Sequence, residues 1–208
     1  MIRIALCALF GGLLPAAELT IADIPLTVGT APVGYRFEID NGTTTVAGTD
    51  AVDQALTVRL GLRMGFPGKA RSSGPVVGVE LGADQYDLGN GTDRRFGLNA
   101  LAGWGWAPAD HVALVLSGVA GLGYGRLELD ASDTNPGFSG DGRATTFGLR
   151  LATVVNLSRR WLAEIDLGWE TIDHRVEADG VSVRLRPAGV TTGLGLTYRF
   201  DPMPVRLE

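Results

Sequence analysis

An all-β chain, folded as an eight-stranded antiparallel up-and-down transmembrane β-barrel, is what this sequence predicts, and three observations carry the expectation. Apolar residues recur with a period of two, not the helical one, in run after run. Glycine is about twice as frequent as in average proteins, 30 in 208 residues, and lies inside the apolar runs, where each would weaken a helix interior by about 1 kcal/mol. The bulky members of each run share one face while the other face carries glycine and charge, the reverse of a sheet whose second side is wet.

Taken in order, residues 1–22 read as an export signal. Arg3 supplies a positive charge, Ile4 to Leu14 an apolar stretch too short to span a bilayer as a helix, and Thr20 and Ala22 the small residues before a cleavage point at Asp23. Cys7, the only cysteine, falls in that stretch, so an internal disulfide and a thiolate metal site are both excluded. Residues 23–200 form the barrel and 201–208 a short tail. The expected strands are 33–40, 54–66, 75–84, 94–106, 112–129, 144–156, 160–176 and 183–200, most of them meeting the ~9 to 11 residues that a tilted strand needs to cross a bilayer. In 54–66, Leu56, Val58, Leu60, Leu62 and Met64 oppose Thr57, Arg59, Gly61 and Arg63. In 94–106, Phe96, Leu98, Trp104 and Trp106 oppose Gly97, Asn99, Gly103 and Gly105. In 144–156, Phe147, Leu149 and Leu151 oppose Gly148, Arg150 and Ala152; in 160–176, Trp161, Ile165, Leu167 and Trp169 oppose Glu164, Asp166, Gly168 and Glu170.

The connections alternate between the two ends. Segments 41–53, 88–93, 130–143 and the tip Asp179-Gly180 fall on one side, and 67–74, 107–111 and 157–159 on the other. A two-residue type I′ turn at Asp179-Gly180 sets Ile165 opposite Leu194 and Trp161 beside Tyr198. A three-residue loop at 157–159 sets Val155 against Trp161 and Arg150 against Asp166, and a five-residue turn at 107–111 sets Trp106 against Val112. All three turns keep the two faces apart.

Large apolar side chains suit lipid, and small residues with paired charges suit a narrow lumen, so the apolar face is assigned to the outside. Arg36, Glu38, Arg59, Arg63, Glu80, Arg150, Glu164, Asp166, Glu170 and Arg199 then point inward as a structural charge cluster, since a buried charge is tolerated when paired and hydrogen-bonded. Trp106, Trp161, Tyr198 and Phe200 gather at the short-turn end, where an interfacial aromatic girdle belongs. A soluble lipocalin-like ligand-binding barrel would put the faces the other way round.

The final strand, Thr192-Gly193-Leu194-Gly195-Leu196-Thr197-Tyr198-Arg199-Phe200, alternates to an aromatic end. In this motif and in its overall pattern the chain resembles the small eight-stranded outer-membrane barrels, the outer-membrane protein A barrel domain and its opacity-type relatives, although eight residues follow Phe200 here. The resemblance implies bacterial outer-membrane residence, contact with outer-membrane lipid, and recognition of the last strand by the barrel-assembly machinery.

Chemistry is sparse. A net charge of −5 with Lys69 as the only lysine leaves no basic stripe for nucleic acid. His174, inward above Glu170, could serve as a general base, but the nearest serine, Ser182, pairs with Glu177 and stands away from it. Asp130, Asp133, Asn135 and Asp141 match no calcium-loop template. The expectation is therefore a non-enzymatic protein without cofactor or metal, structural or engaged in surface interaction, with loops displayed outside the cell to an extracellular ligand. The alternatives are transport of small hydrophobic molecules through the barrel and an outer-leaflet lipid-modifying enzyme.

Overall fold

The computed structural model describes residues 21–52, 54–65, 73–131 and 137–200. All but the last two residues of the expected export signal, and the whole expected tail 201–208, lie outside the described residues. The elements are β1 (Ile21–Thr30), β2 (Gly34–Asp40), β3 (Thr45–Ala51), β4 (Gln54–Gly65), β5 (Ser73–Asp87), β6 (Gly91–Ala109), β7 (Val112–Leu129), β8 (Phe138–Asn156), β9 (Trp161–Ala178) and β10 (Val181–Arg199), all antiparallel in one sheet. β1 pairs with β4 on one edge and with β10 on the other, so the hydrogen-bonded order β1-β4-β5-β6-β7-β8-β9-β10 returns to β1 and the sheet is ring-like. β2 pairs with the other half of β10, from Ala188↔Gly34 to Ser182↔Asp40, and β3 pairs with β2.

Among the described residues ten strands stand where the sequence predicts eight. β1 is one addition: Leu26 and Val28 alternate with Thr27 and Gly29, but the run is short, holds Pro25 and abuts the expected export signal. β3 is the other, and it occupies the expected loop 41–53. Its single bulky apolar residue is Val46, and its partner β2 reaches it through a turn in which Asn41 Oδ1 accepts from the N–H groups of Thr43 and Thr44 at 3.0 and 2.8 Å. β8 likewise begins at Phe138, inside the expected loop 130–143.

At Asp179-Gly180 both residues have positive φ, 51° and 77°, as a type I′ turn requires, and Ile165 faces Leu194 and Trp161 faces Tyr198 as expected. The turns at the opposite end differ. Ala109 faces Val112 across a tight Asp110-His111 turn, and an irregularity before it sets Trp106 against Leu114 rather than Val112. The N–H groups of Leu157 and Ser158 both donate to the Trp161 carbonyl at 3.0 Å, which sets Val155 against Ala163 rather than Trp161. A slip of two residues preserves the faces but changes the neighbours. Arg150 therefore lies opposite Gly168, not Asp166.

The faces exchange roles along each strand. With the end bearing turns 110–111 and 157–160 called the base, and the end bearing Asp179-Gly180 and the β2–β3 hairpin called the rim, β9 points Trp161, Ile165, Leu167 and Trp169 outward below and then Asp173, Arg175 and Glu177 outward above. Its inner side runs from Glu164, Asp166 and Glu170 to Ile172, His174 and Val176, all buried. In the middle the bulk is outside and the charge inside; at the rim the order is that of an ordinary water-soluble sheet. This reversal corrects the expectation for Arg36 and Glu38. Both are exposed on the outside of β2, because Tyr35, Phe37 and Ile39 take its inner side and pack with Leu127, Val183 and Leu185 in an apolar lid at the rim. A second apolar cluster, Val76, Val115, Ala152, Val154 and Leu162, forms the floor at the base.

Candidate functional site

Between lid and floor the interior holds a layer of ion pairs, each partner delivered by the inner face of a different strand. Arg150 on β8 donates from Nη1 to Glu80 Oε2 at 2.7 Å and from Nη2 to Glu170 Oε1 at 2.8 Å, bridging β5 and β9 across the ring. Arg59 on β4 closes the set, donating to Glu170 Oε2 at 2.8 Å with its Nε 3.7 Å from Glu80 Oε1. Asn99 Nδ2 donates a further bond to Glu80 at 3.0 Å. These side chains are buried, and two guanidinium groups shared between two carboxylates satisfy the condition under which buried charge is stable.

Glycine makes the room. Gly121 sits opposite Asn99, and a Cβ there would stand 1.8 Å from Asn99 Oδ1. Gly148, opposite Glu170, would bring a Cβ 2.6 Å from Glu170 Cγ. The glycine-rich face is thus the negative of the charged side chains on the neighbouring strands.

Toward the base, Arg63 holds Glu164 with two bonds, at 3.1 and 2.6 Å, and Thr197 Oγ1 donates to the same carboxylate at 2.8 Å. Asp166 lines the small space beside them, its Oδ1 without a hydrogen-bond partner. Arg199 stands apart from the layer in which the sequence places it. It lies at the last turn of the ladder, partly exposed, with Asp23 of β1 at 2.9 Å.

Toward the rim is a set the sequence reading missed. Asp93 is fully buried and accepts from Arg95 Nε and Nη2 at 2.9 and 2.6 Å; His174 Nδ1 lies 3.0 Å from its other oxygen; and the Arg95 guanidinium stacks 4.3 Å from the Tyr86 ring centre. Asp93 falls in the expected connection 88–93 and Arg95 at the very start of the expected strand 94–106, so no feature of the sequence marks them as neighbours of His174. Leu185, opposite His174, points inward, which puts Ser182, three residues away, on the outer face of β10. Among the described residues no group of three or more His, Cys, Asp or Glu could hold a metal ion.

Outside, the expected aromatics cluster at the base. Tyr198 contacts Trp161 and Phe200 edge-on, each at 5.1 Å between ring centres, and Trp104 and Trp106 are exposed on β6. A second set of exposed aromatics, not singled out from the sequence, lies nearer the rim: Phe96 opposite Tyr124, with Phe147 and Trp169 on the next two strands. Between the two sets, ten residues apart on β6, the exposed side chains are Leu98, Leu116, Leu122, Leu149, Ile165 and Leu194 and their apolar neighbours. At ~3.3 Å per residue and a strand tilt of ~40°, that spacing gives an apolar band of about 25 Å.

No protein-family model matches the chain, and no curated protein matches it in sequence. Solved structures match in shape. Neisserial surface protein A, from Neisseria, superposes with a TM-score of 0.50 at 9% identity, over 85% of this chain and 97% of that one. The outer membrane protein OprG of Pseudomonas aeruginosa gives 0.48 at 12% identity, over 88% and 97%, and Ail, the attachment invasion locus protein of Yersinia pestis, gives 0.38 at 16%, over 86% and 99%. The likeness to Neisserial surface protein A is one of fold: an all-β chain whose antiparallel strands form a ring.

Proposed function

We propose that this chain is an integral β-barrel of a bacterial outer membrane, with a structural or surface-interaction role and its rim displayed outside the cell. The observation that carries the reading is the exchange of faces: an outward apolar band of about 25 Å between two sets of aromatics, over a charged interior, with ordinary water-facing patterning beyond it. In this reading β1 and β4 to β10 are the eight strands of a closed barrel, β2 and β3 an added hairpin at its rim, residues 1–22 an export signal and 201–208 a tail. The lipid of the outer membrane and the barrel-assembly machinery are its obligatory partners. A water-soluble lipocalin-like barrel would leave Leu122, Leu149 and Leu194, each more than 60% exposed, facing water. The ion pairs of Arg59, Glu80, Arg150 and Glu170 cross the middle of the interior, which argues against transport through the lumen.

An epitope inserted between Gly42 and Thr43, at the tip of β2–β3, should be stained by antibody on intact cells, and one between Ser158 and Arg159 only after permeabilisation. Recovery of the protein as a soluble periplasmic monomer would contradict the reading.

A further inference from the structure

Above the rim-side aromatics the outer face carries arginines in an arrangement that costs the fold something. Arg143 on β8 is the Cα partner of Arg175 on β9, and Arg175 is the partner of Arg184 on β10, so three guanidinium side chains stand in one row across three adjacent strands. Like charges placed directly opposite each other destabilise a sheet. Two acids adjoin the row: Asp173 pairs with Arg184 and lies 3.9 Å from Arg186, and Glu38 of β2 is the Cα partner of Arg184. Arg143 and Arg175 make no ion pair within the described residues, and Asp141 and Glu177, farther toward the rim, face Arg126 and Ser182. Farther toward the base, past Thr145 on β8 and past Asp173 and Thr171 on β9, are Phe147, Leu149 and Trp169, all more than half exposed.

We propose that Arg143, Arg175 and Arg184 form a binding site for the phosphate of an outer-leaflet lipid, whose acyl chains lie along Phe147, Leu149 and Trp169. The proposal rests on the outer-membrane reading above. A phosphomonoester carries up to two negative charges and presents three oxygens, which the planar forks of adjacent arginines match in pairs. It removes the repulsion within the row, and the same molecule covers the apolar surface below it. Arginine suits the task better than lysine because it binds two phosphate oxygens at once and is more weakly hydrated. A free phosphate would have the charge but nothing to set against the aromatic face.

The test is native mass spectrometry of the full mature chain in detergent micelles, after circular dichroism has shown it folded, with dioleoyl phosphatidic acid, dioleoylglycerol and inorganic phosphate as separate probes. Phosphatidic acid should be retained about tenfold more tightly than dioleoylglycerol, inorganic phosphate should not be retained, and the preference should vanish in Arg143→Gln/Arg175→Gln. The charge-matched control Arg159→Gln/Arg160→Gln, at the base, should keep it. A folded protein that holds both lipids equally, a double variant that binds like the parent, or retention of inorganic phosphate as strong as that of the lipid would overturn this site while leaving the barrel intact. A chain that fails to fold in micelles would overturn the reading on which the site depends.

Discussion

Arg150 is the residue on which the interior turns, because it alone joins Glu80 to Glu170 by direct hydrogen bonds from one guanidinium. Removing it leaves two buried carboxylates with Arg59 as their one remaining cation in the layer and Asn99 as a neutral donor to Glu80. Breaking a buried pair by truncating one partner costs about 3 to 5 kcal/mol, far more than the pair adds over a well-packed apolar substitute. Arg150→Ala should therefore lower stability by about that amount in urea unfolding from micelles, and the added change Glu80→Gln should return part of the loss by removing one uncompensated charge. An Arg150→Ala protein with parental stability would show that the network is not formed. The residue-level partners were only partly readable beforehand. The inward alternation named Arg59, Glu80, Arg150 and Glu170, but the pairing arithmetic joined Arg150 to Asp166, since a turn read as three residues slips the ladder by two and leaves the face unchanged.

At the scale of elements, the ring and the β2–β3 hairpin are separable. Val52 N–H donates to the Val33 carbonyl at 2.8 Å, so the chain enters and leaves the hairpin at one point. The pairings that close the ring, β1 with β4 and β1 with β10, involve no residue of 34–51. Excising Gly34 to Ala51 and joining Val33 to Val52 through Asn-Gly should leave a chain that still folds in micelles with a strand-dominated circular dichroism spectrum. It should be less stable, because Leu127, Val183 and Leu185 lose Tyr35, Phe37 and Ile39 from their lid. Failure to fold would mean that the hairpin is part of the closure. The long, strongly alternating strands β4 to β10 were legible from the sequence for the same reason that they are stable: bulk on one face and small residues on the other admit one arrangement. β1 and β3 were not. One is short and interrupted by Pro25, and the other draws its stability from β2 through the ladder rather than from its own side chains.

For the whole molecule, the interior is layered from base to rim as apolar floor, ion pairs, the Asp93–His174 set and apolar lid. The spaces left between the layers are small, with room for only a few waters each. In the eight-stranded barrel proposed above, side chains fill the interior, so purified protein in planar bilayers should give no large, steady ion conductance, and porin-like openings would refute the filled lumen. The alternation puts Phe96, Phe147 and Trp169 on the outward face, but a single period-two pattern does not mark where the outward apolar band ends; the change of role lies in the residues past Trp169 on β9, where outward Asp173 and Arg175 follow outward Trp169.

If the outward face meets lipid over a bounded stretch, spin-label accessibility along β8 will mark where that stretch ends. Single cysteines placed from Arg143 to Val155 in a Cys7→Ser background, labelled and reconstituted in phosphatidylcholine bilayers, should relax with molecular oxygen at Phe147, Leu149, Leu151 and Thr153. A water-soluble nickel reagent should reach Arg143, and neither should reach Arg150 or Ala152 strongly. Oxygen accessibility with period two that stops between Phe147 and Arg143 is the result expected; nickel reaching Leu149 and Leu151 as readily as Arg143 would place that face in water and rule out a lipid-facing band.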